Sequence, residues 1–384
     1  MIYLRVFFKY IYYFIALIFF SNIDKLVYII FQKKTNFKKK KVLFIKNDNL
    51  GDFVLWENAF LNFIKHYQNY EIYLICNSKI HPYLNNKYKN KINLISLNRS
   101  KFLFNIFYRI SFLKRLYKLN FNTIINPMVS RNFVLSDLII KNFHKSNKIA
   151  FKDNQDQLPN FFSNLSNSYY DKLIVIENYD EVTNNQKFYE KITNKKIQNY
   201  LTLKISSKIK FKDKYVLISL GTSDYRRNIS NDKIIKISNY LLKNTDLILV
   251  FTGVAFDQKN FLNIKNNIKF KKNRIINKIN QYQIDEFIEC ISGAELVVTA
   301  ETATMHISNI LNKKTLSIVG GGFFSRFIEI KNKFYFNRNE KKVYNPMNCF
   351  NCNWNCKFKI QNKTYMCIDK IQTKEIIKNL KMLI

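Results

Sequence analysis

GAELVVTAETATMHISNILNKKTLSIVGGGFFSR, residues 293–326, is the stretch on which the fold turns. Residues 296–299 (LVVT) form a short apolar, β-branched run of the kind a strand buried on both faces requires. Small and polar residues follow, and either Glu301 or Thr302 stands where a helix takes its N-cap. That helix runs through Ile310, and a second apolar run at 315–319 begins just beyond it. Strand, helix and strand in so short a space make a parallel crossover unit.

The same alternation repeats on both sides. A first series of strands is expected at 42–46 (VLFIK), 72–76, 92–97 and 123–126, with a helix at 53–67 whose apolar side carries Phe53, Leu55, Trp56, Phe60, Phe63 and Ile64. The second series is 215–220 (YVLISL), 247–252, 296–299 and 315–319. A polar, irregular region at about 152–214 separates them and holds the domain boundary. A last helix at 373–383 has Thr373 as its expected N-cap and Ile376, Ile377, Leu380 and Leu383 on its apolar face. The fold class is therefore α/β, with two Rossmann-like domains built on parallel sheets.

Composition bounds the function. The 384 residues include 63 Lys and Arg against 27 Asp and Glu, a net charge of +36. With 47% hydrophobic and 16% aromatic residues the chain is neither disordered nor fibrous, and 7 Gly and 4 Pro exclude collagen-like and Pro-rich classes. The charge calls for an anionic partner surface, nucleic acid or membrane. Only 10 of the basic residues are Arg, which weighs against base reading by planar guanidinium forks and against nucleic acid as the partner.

The N-terminus points the same way. Between Lys9 and Asp24 the chain runs uncharged for 14 residues, 10–23, short of the roughly 18–20 of a spanning helix. Arg5 and Lys9 before an apolar stretch resemble a signal peptide, but no small-residue cleavage site follows. Three readings stay open: a helix packed on the first domain, a membrane span, and a helix in the membrane interface flanked by Lys33, Lys34 and residues 38–41. Residues 1–40 are assigned as a membrane-associating extension, 41–205 as an acceptor-binding domain and 206–384 as a donor-binding domain.

Functional residues are expected beyond the carboxyl ends of the strands. After 42–46 comes Asn47-Asp48-Asn49-Leu50-Gly51-Asp52. Gly51 would allow a backbone path closed to other residues, and Asp52 is either a helix cap or a general base in a cleft. After 215–220, Thr222 and Ser223 with the Arg226–Arg227 pair suit a phosphate. The helix start at Glu301, Thr302 and Ala303 offers backbone N–H groups and a dipole to a second anion, with Glu301 better placed for a sugar hydroxyl. His306 lies one turn further. Gly320, Gly321 and Gly322, three of the seven glycines, suggest backbone passing close to a ligand.

Taken in order, KVLFIKNDNLGDFVLWENAFLNFIK, LGTSDYRR, GAELVVTAETATMHISNIL and VGGGFF resemble the family-9 glycosyltransferases, the lipopolysaccharide heptosyltransferase group. The resemblance implies a GT-B fold, two Rossmann-like domains facing a central cleft. It implies an inverting, metal-independent transfer of a sugar, heptose from ADP-heptose, to a lipopolysaccharide core or related lipid-linked glycan. By position it makes Asp52 the general base, with Lys46 and Gly51 supporting its turn. Thr222, Ser223, Arg227, Asp257, Glu301, Thr302, Ala303 and His306 become donor-binding residues. The chain departs from the family pattern at Asn58 (usually Pro), Arg227 (Lys), Glu301 (Asp), Ala303 (Gly) and Gly321-Gly322 (a Gly-Pro-Thr turn). The alternatives are another nucleotide sugar, or a non-catalytic nucleotide-sugar or glycan-binding protein. The resemblance also implies a place on the cytoplasmic side of the inner membrane, peripheral or monotopic, against an anionic lipid surface. No cofactor is expected for catalysis.

Cys349, Cys352, Cys356 and Cys367 cluster within 19 residues, 349–367, while Cys76 and Cys290 stand apart. Four thiols at such spacing suit a structural zinc site or a cluster, free thiols, or, less readily in a reducing compartment, a disulfide.

Overall fold

The computed structural model describes residues 2–32, 39–153, 158–177, 180–199, 202–203, 211, 213–335, 337–360 and 363–384. Lys33, Lys34 and Lys38 of the expected basic flank, and the expected boundary between 205 and 206, lie outside the described residues. The chain divides into two compact units, Met1–Asn178 with Asn184–Ile197, and Tyr179–Thr183 with Gln198–Ile384.

The first unit has strands β1 (Lys41–Lys46), β2 (Glu71–Asn77), β3 (Asn93–Leu97), β4 (Thr123–Asn126), β5 (Asn147–Phe151) and β6 (Lys172–Ile174). Its helices are α1 (Ile2–Phe31), α2 (Leu50–His66), α3 (His81–Tyr88), α4 (Arg99–Phe104), α5 (Ile106–Tyr117), α6 (Leu138–Lys141) and α7 (Asn160–Asn167). Helix α8 (Glu181–Thr193) follows, its first residues grouped with the second unit. The second unit has β7 (Tyr215–Ser219), β8 (Ile248–Thr252), β9 (Ile275–Asn277), β10 (Leu296–Thr299), β11 (Thr315–Ile318) and β12 (Glu340–Val343). Its helices are α9 (Asn231–Asn244), α10 (Gln258–Asn267), α11 (Ile284–Gly293), α12 (Ala303–Ile310), α13 (Met366–Asp369) and α14 (Thr373–Lys381).

Both sheets are wholly parallel, and their orders correspond: β3-β2-β1-β4-β5-β6 and β9-β8-β7-β10-β11-β12. This is the Rossmann order, which places the two series of strands on either side of β1 and β7. The central strands bury both faces, so Val42 to Ile45 and Val216 to Ile218 have no exposed surface. That double burial is why these runs read as continuously apolar.

Four strands lack such a signature. The edge strand β12 is EKKV, and β6 and β9 are three residues each. Strand β5 (NKIAF) carries Lys148 in a buried position. The region expected to be irregular nevertheless holds three regular elements, α7, β6 and α8. Exposed Asn160, Asn164, Lys187 and Lys191, and polar residues that are themselves buried, such as Ser163, Ser166, Asn184 and Asn185, mask the short apolar stripes that pack inward, such as Phe162 of α7 and Phe188 and Tyr189 of α8. Helix α14 buries Ile376 and Leu380 as expected, with Gln372 rather than Thr373 at its N-cap.

Helix α1 packs on the first unit along one stripe. Ala16 and Val27 are in the core, with Tyr13, Leu17, Phe20, Ile23, Tyr28 and Phe31 against it. Asp24 on the same stripe is fully buried and paired with Arg109 of α5.

Candidate active site

In each sheet the strand order reverses at one place, between β1 and β4 and between β7 and β10. Connections leave these two strands toward opposite sides, so the loops at their carboxyl ends part and leave a crevice. Most of the residues singled out from the sequence fall on the loops or helix starts that follow β1, β7 and β10, while Asp257 follows β8.

In the first unit, Lys46 ends β1 with its side chain 1% exposed and its ammonium 2.7 Å from Asp48 Oδ2 and 6.0 Å above the Trp56 ring. Asn47 donates from Nδ2 to the Leu135 carbonyl at 2.8 Å. These two contacts shape the turn from within. Asn49 is the N-cap of α2, so Asp52 is a residue of its first turn rather than the cap. Asp52 is half-buried there, at the positive end of the helix dipole. Gly51 also lies in that turn, with no left-handed backbone. The irregular path expected at Gly51 is instead a helix, and the glycine gives the turn an open flank without a side chain.

Opposite, beyond β4, stands a buried polar cluster that sequence reasoning missed. Asp137 accepts from Ser166 Oγ at 2.5 Å and Tyr170 Oη at 2.6 Å, with Ser136 Oγ at 3.2 Å. Burial pushes its carboxyl up, against the opposing pull of Arg131. The Arg131 guanidinium lies 4.7 Å from the Tyr170 ring and donates to Asn167 Oδ1, while its Nε and Nη1 find no acceptor. Residues 133–137 form a wide turn, with Asp137 N bonded to Asn132 O and the Asn132 side chain capping Val134 and Leu135. The expected strand at 123–126 marks where this loop begins but not that Ser166 and Tyr170 meet it.

In the second unit, Gly221 after β7 has φ +71°, a left-handed conformation that glycine adopts freely. A Cβ there would stand 2.3 Å from Asp257 Oδ1. The Asp257 carboxylate is buried beside Gly221 and Gly253 and accepts from Val254 N at 2.9 Å, a bond within the loop after β8 that seats the carboxylate against the loop after β7. Burial pushes its carboxyl up.

Thr222 Oγ1 donates within its own loop, to Asp224 O at 2.5 Å, with Asn228 Oδ1 at 2.9 Å. Ser223 is exposed, and its Oγ accepts from Arg227 Nη2 at 3.2 Å. The two arginines divide their tasks. Arg226 grips Asp224 through Nε and Nη2 at 2.8 and 2.7 Å and holds that carboxyl below the usual carboxylate range. Arg227 has no ion pair with a described carboxylate and lies 5.3 Å from the Trp354 ring. It is the cation this loop can offer an anion.

Beside this loop, Thr302 is the N-cap of α12, accepting from Thr304 N at 3.3 Å, which decides between it and Glu301. Ser219 Oγ at the end of β7 lies 2.9 Å from Thr304 Oγ1, so the loop after β7 and the start of α12 share one end of the sheet. Thr302 and Ala303 are half-exposed and Glu301 is buried. His306 is buried, with Nδ1 2.9 Å from Tyr335 Oη, and burial with the nearby Lys342 charge lowers its pKa to about 3. At neutral pH it is uncharged, so it offers no cation at this helix start.

A family model described as glycosyltransferase family 9 (heptosyltransferase) matches residues 109–347, well over half of the chain. The chain belongs to glycosyltransferase family 9. As a family-9 protein it is a glycosyltransferase. No curated protein matches it at the sequence level. Among solved structures it is similar to ADP-heptose lps heptosyltransferase II of E. coli (12% identity, TM-score 0.65, 89% of this chain and 98% of that one). It is likewise similar to a family-9 glycosyl transferase from Veillonella parvula DSM 2008 (13%, 0.66, 92% and 98%). A third is the E. coli heptosyltransferase WaaC with ADP (11%, 0.64, 90% and 100%). At such identities the likeness carries the fold, the GT-B pair of Rossmann-like units.

The family match covers Thr222, Ser223, Arg227, Asp257, Glu301, Thr302, Ala303 and His306. Lys46, Gly51, Asp52 and the four clustered cysteines of this family-9 glycosyltransferase lie outside it.

The glycine cluster after β11 has a different purpose from the one expected. A Cβ at Gly321 would stand 2.0 Å from the Phe350 ring, and one at Gly322 2.2 Å from the Trp354 ring. Asn351 N and Asn353 N donate to the carbonyls of Gly321 and Gly322 at 2.7 and 2.8 Å. The glycines thus admit the cysteine-bearing loop, whose Trp354 in turn faces Arg227.

Cys349, Cys352 and Cys356 of that loop and Cys367 of α13 are free and line one pocket with Phe350, Trp354 and Tyr365. Burial pushes the Cys352 and Cys367 thiols up. Among the described residues no three His, Cys, Asp or Glu side chains form a metal-holding group. The expected zinc site therefore finds no support, and no step is assigned to a metal.

Proposed function

We propose that this enzyme transfers heptose from ADP-heptose to a lipopolysaccharide core or related lipid-linked glycan, with inversion and without a metal, on the cytoplasmic side of the inner membrane. In this reading Asp52 takes the proton from the acceptor hydroxyl as its oxygen attacks the anomeric carbon. The bond from that carbon to the β-phosphate oxygen breaks, and the nucleoside diphosphate leaves with the added negative charge. Arg227, Ser223 and the N–H groups at the start of α12 stabilise that charge. Thr222 and Asp257 hold the loop that presents Arg227, and Glu301 meets a sugar or ribose hydroxyl. His306 and Ala303 shape the helix start.

One observation supports this reading above the others. In a family-9 chain, a half-buried carboxylate in the first turn after β1 of the first unit, and in the second an arginine without a described carboxylate partner on the loop after β7, are the groups that base-assisted displacement of a diphosphate needs. ADP-, UDP-, GDP- and CMP-sugars offered in turn, with binding detected by mass, test the donor. ADP-heptose should bind and turn over on a lipid-linked acceptor. Preference for another nucleotide would replace the donor, and binding of none would overturn the reading.

A further inference from the structure

We infer that the outward face of α1, together with the α4–α5 junction beside it, is a docking surface that lays the first unit flat on an anionic bilayer, with α1 in the interface and not across the membrane. This deepens the membrane part of the reading above but rests on its own observations.

Thirty residues of α-helix make a rod of about 45 Å. By length and composition residues 10–31 are apolar enough to cross a bilayer. The packing forbids that use. Along α1 the residues at positions 13, 16, 17, 20, 24, 27, 28 and 31 face the first unit, a spacing of three and four that makes one stripe. Near one end Tyr10 and Tyr13 meet the Phe162 ring at 5.9 and 5.4 Å, and near the other Lys114 lies 4.7 Å from the Phe31 ring. Midway, Asp24 is paired with Arg109, both fully buried. A crossing helix would have to leave this stripe, and Arg109 would then keep its charge in the core with no counterion.

The opposite face is apolar and open. Phe14, Ile15, Ile18, Leu26, Ile29 and Ile30 are each more than half exposed. Phe104 and Phe107, at 83% and 81% exposed, extend it at the junction of α4 and α5, the helix against which α1 packs. So large an apolar surface marks an interaction site.

Charge selects the occupant. Asp24 is the one acidic residue of 2–31, and Arg109 neutralises it; residues 98–122 contain none. The exposed stripe of α5 passes from Phe107 through Lys114 and Arg115 to Lys118, and Lys25 stands on the open side of α1. An apolar face bordered by Lys25 on α1 and by Lys114, Arg115 and Lys118 on α5 matches hydrocarbon bordered by anionic headgroups. The half-exposed Tyr10 and Tyr12, each with an apolar ring and a polar tip, suit the same depth. A second copy of the chain would bring the same cations against these.

Co-sedimentation of the full chain with phosphatidylcholine vesicles, with and without phosphatidylglycerol, tests this. Binding should require phosphatidylglycerol, and Phe104→Glu with Phe107→Glu should weaken it at least about tenfold, the effect of losing a well-buried apolar side chain. Both rings are exposed, so folding should be unchanged by circular dichroism. Ile18→Trp and Ile29→Trp, read by quenching with lipids brominated at a shallow or a deep position, should both report the shallow depth. Trp56 is buried and Trp354 lies in the second unit, so they add a constant background. Unchanged partitioning of the double variant overturns the proposal. So does deep quenching at Ile18→Trp alone, which means a crossing helix, or a lipid-free dimer dissolved by the same substitutions. Partitioning needs neither donor nor acceptor, so it succeeds or fails apart from glycosyl transfer.

Discussion

Asp24 and Arg109 form a two-point ion pair in the core of the first unit, Nε to Oδ1 at 2.7 Å and Nη2 to Oδ2, with neither side chain exposed. Phe20 and Phe102 lie on the guanidinium at 4.2 Å each, so water has no access to replace a lost partner.

Removing one partner should therefore cost much more than removing both. Asp24→Ala is expected to destabilise the first unit by about 3–5 kcal/mol, because it leaves a buried cation unpaired. Asp24→Leu combined with Arg109→Met should recover most of that loss. Denaturant midpoints of the single and double variants check the difference.

Gly221 tests the join between the loops after β7 and β8. Gly221→Ala should cost about 1–3 kcal/mol for the left-handed backbone alone, with a further loss from the approach to Asp257. In an Asp257→Ala background the second loss should disappear. A double-mutant cycle on unfolding free energy would show coupling, and equal losses in both backgrounds would remove Asp257 from the account.

The division of labour between Arg226 and Arg227 predicts unlike phenotypes. Arg227→Ala should lower kcat/KM by about 100-fold through loss of diphosphate stabilisation, with Arg227→Lys retaining part of the rate. Arg226→Ala should act through the loop, by freeing Asp224, and show mainly as lowered thermal stability. Steady-state kinetics beside melting curves separate the two.

If Asp52 is the base, Asp52→Asn should reduce kcat by about 100- to 10,000-fold while leaving donor affinity within about twofold. Titration calorimetry with the donor alone supplies the second half of that comparison. An unchanged kcat would take Asp52 out of the chemistry.

His306 should make stability depend on acid. The native residue stays neutral down to about 3, whereas the unfolded chain takes up this proton at the ordinary value near 6.5. Between those values the unfolded state holds more protons, so stability rises with pH by up to about 1.4 kcal/mol per unit. The contribution is complete above about 6.5 and is lost as pH falls toward 3. His306→Gln should flatten the profile of unfolding midpoints between neutral pH and about 4.

Much of the site was legible because strand ends mark it. The turn at Asn47 to Asp52, the Thr222–Arg227 loop and the start of α12 all follow runs whose double burial shows as unbroken apolar sequence. The Arg131–Asp137 cluster was not legible, since its members come from three segments between Asn126 and Tyr170 and meet only when β4 and α7 are packed. Nor was the glycine cluster: seven glycines in 384 residues signal a close approach, but not what approaches.

By itself the sequence determined two parallel α/β units, the loops at the ends of their central strands, and an apolar helix ahead of them. These follow from local pattern, because burial on one face or two leaves its period in the chain. Only the tertiary structure decided the strand orders, which arginine stays available, that the glycines receive Phe350 and Trp354, and that α1 is pinned to α5 by Asp24 and Arg109. Each of these depends on partners distant in the chain, and a pairing between residues 85 apart leaves no trace in the composition around either one.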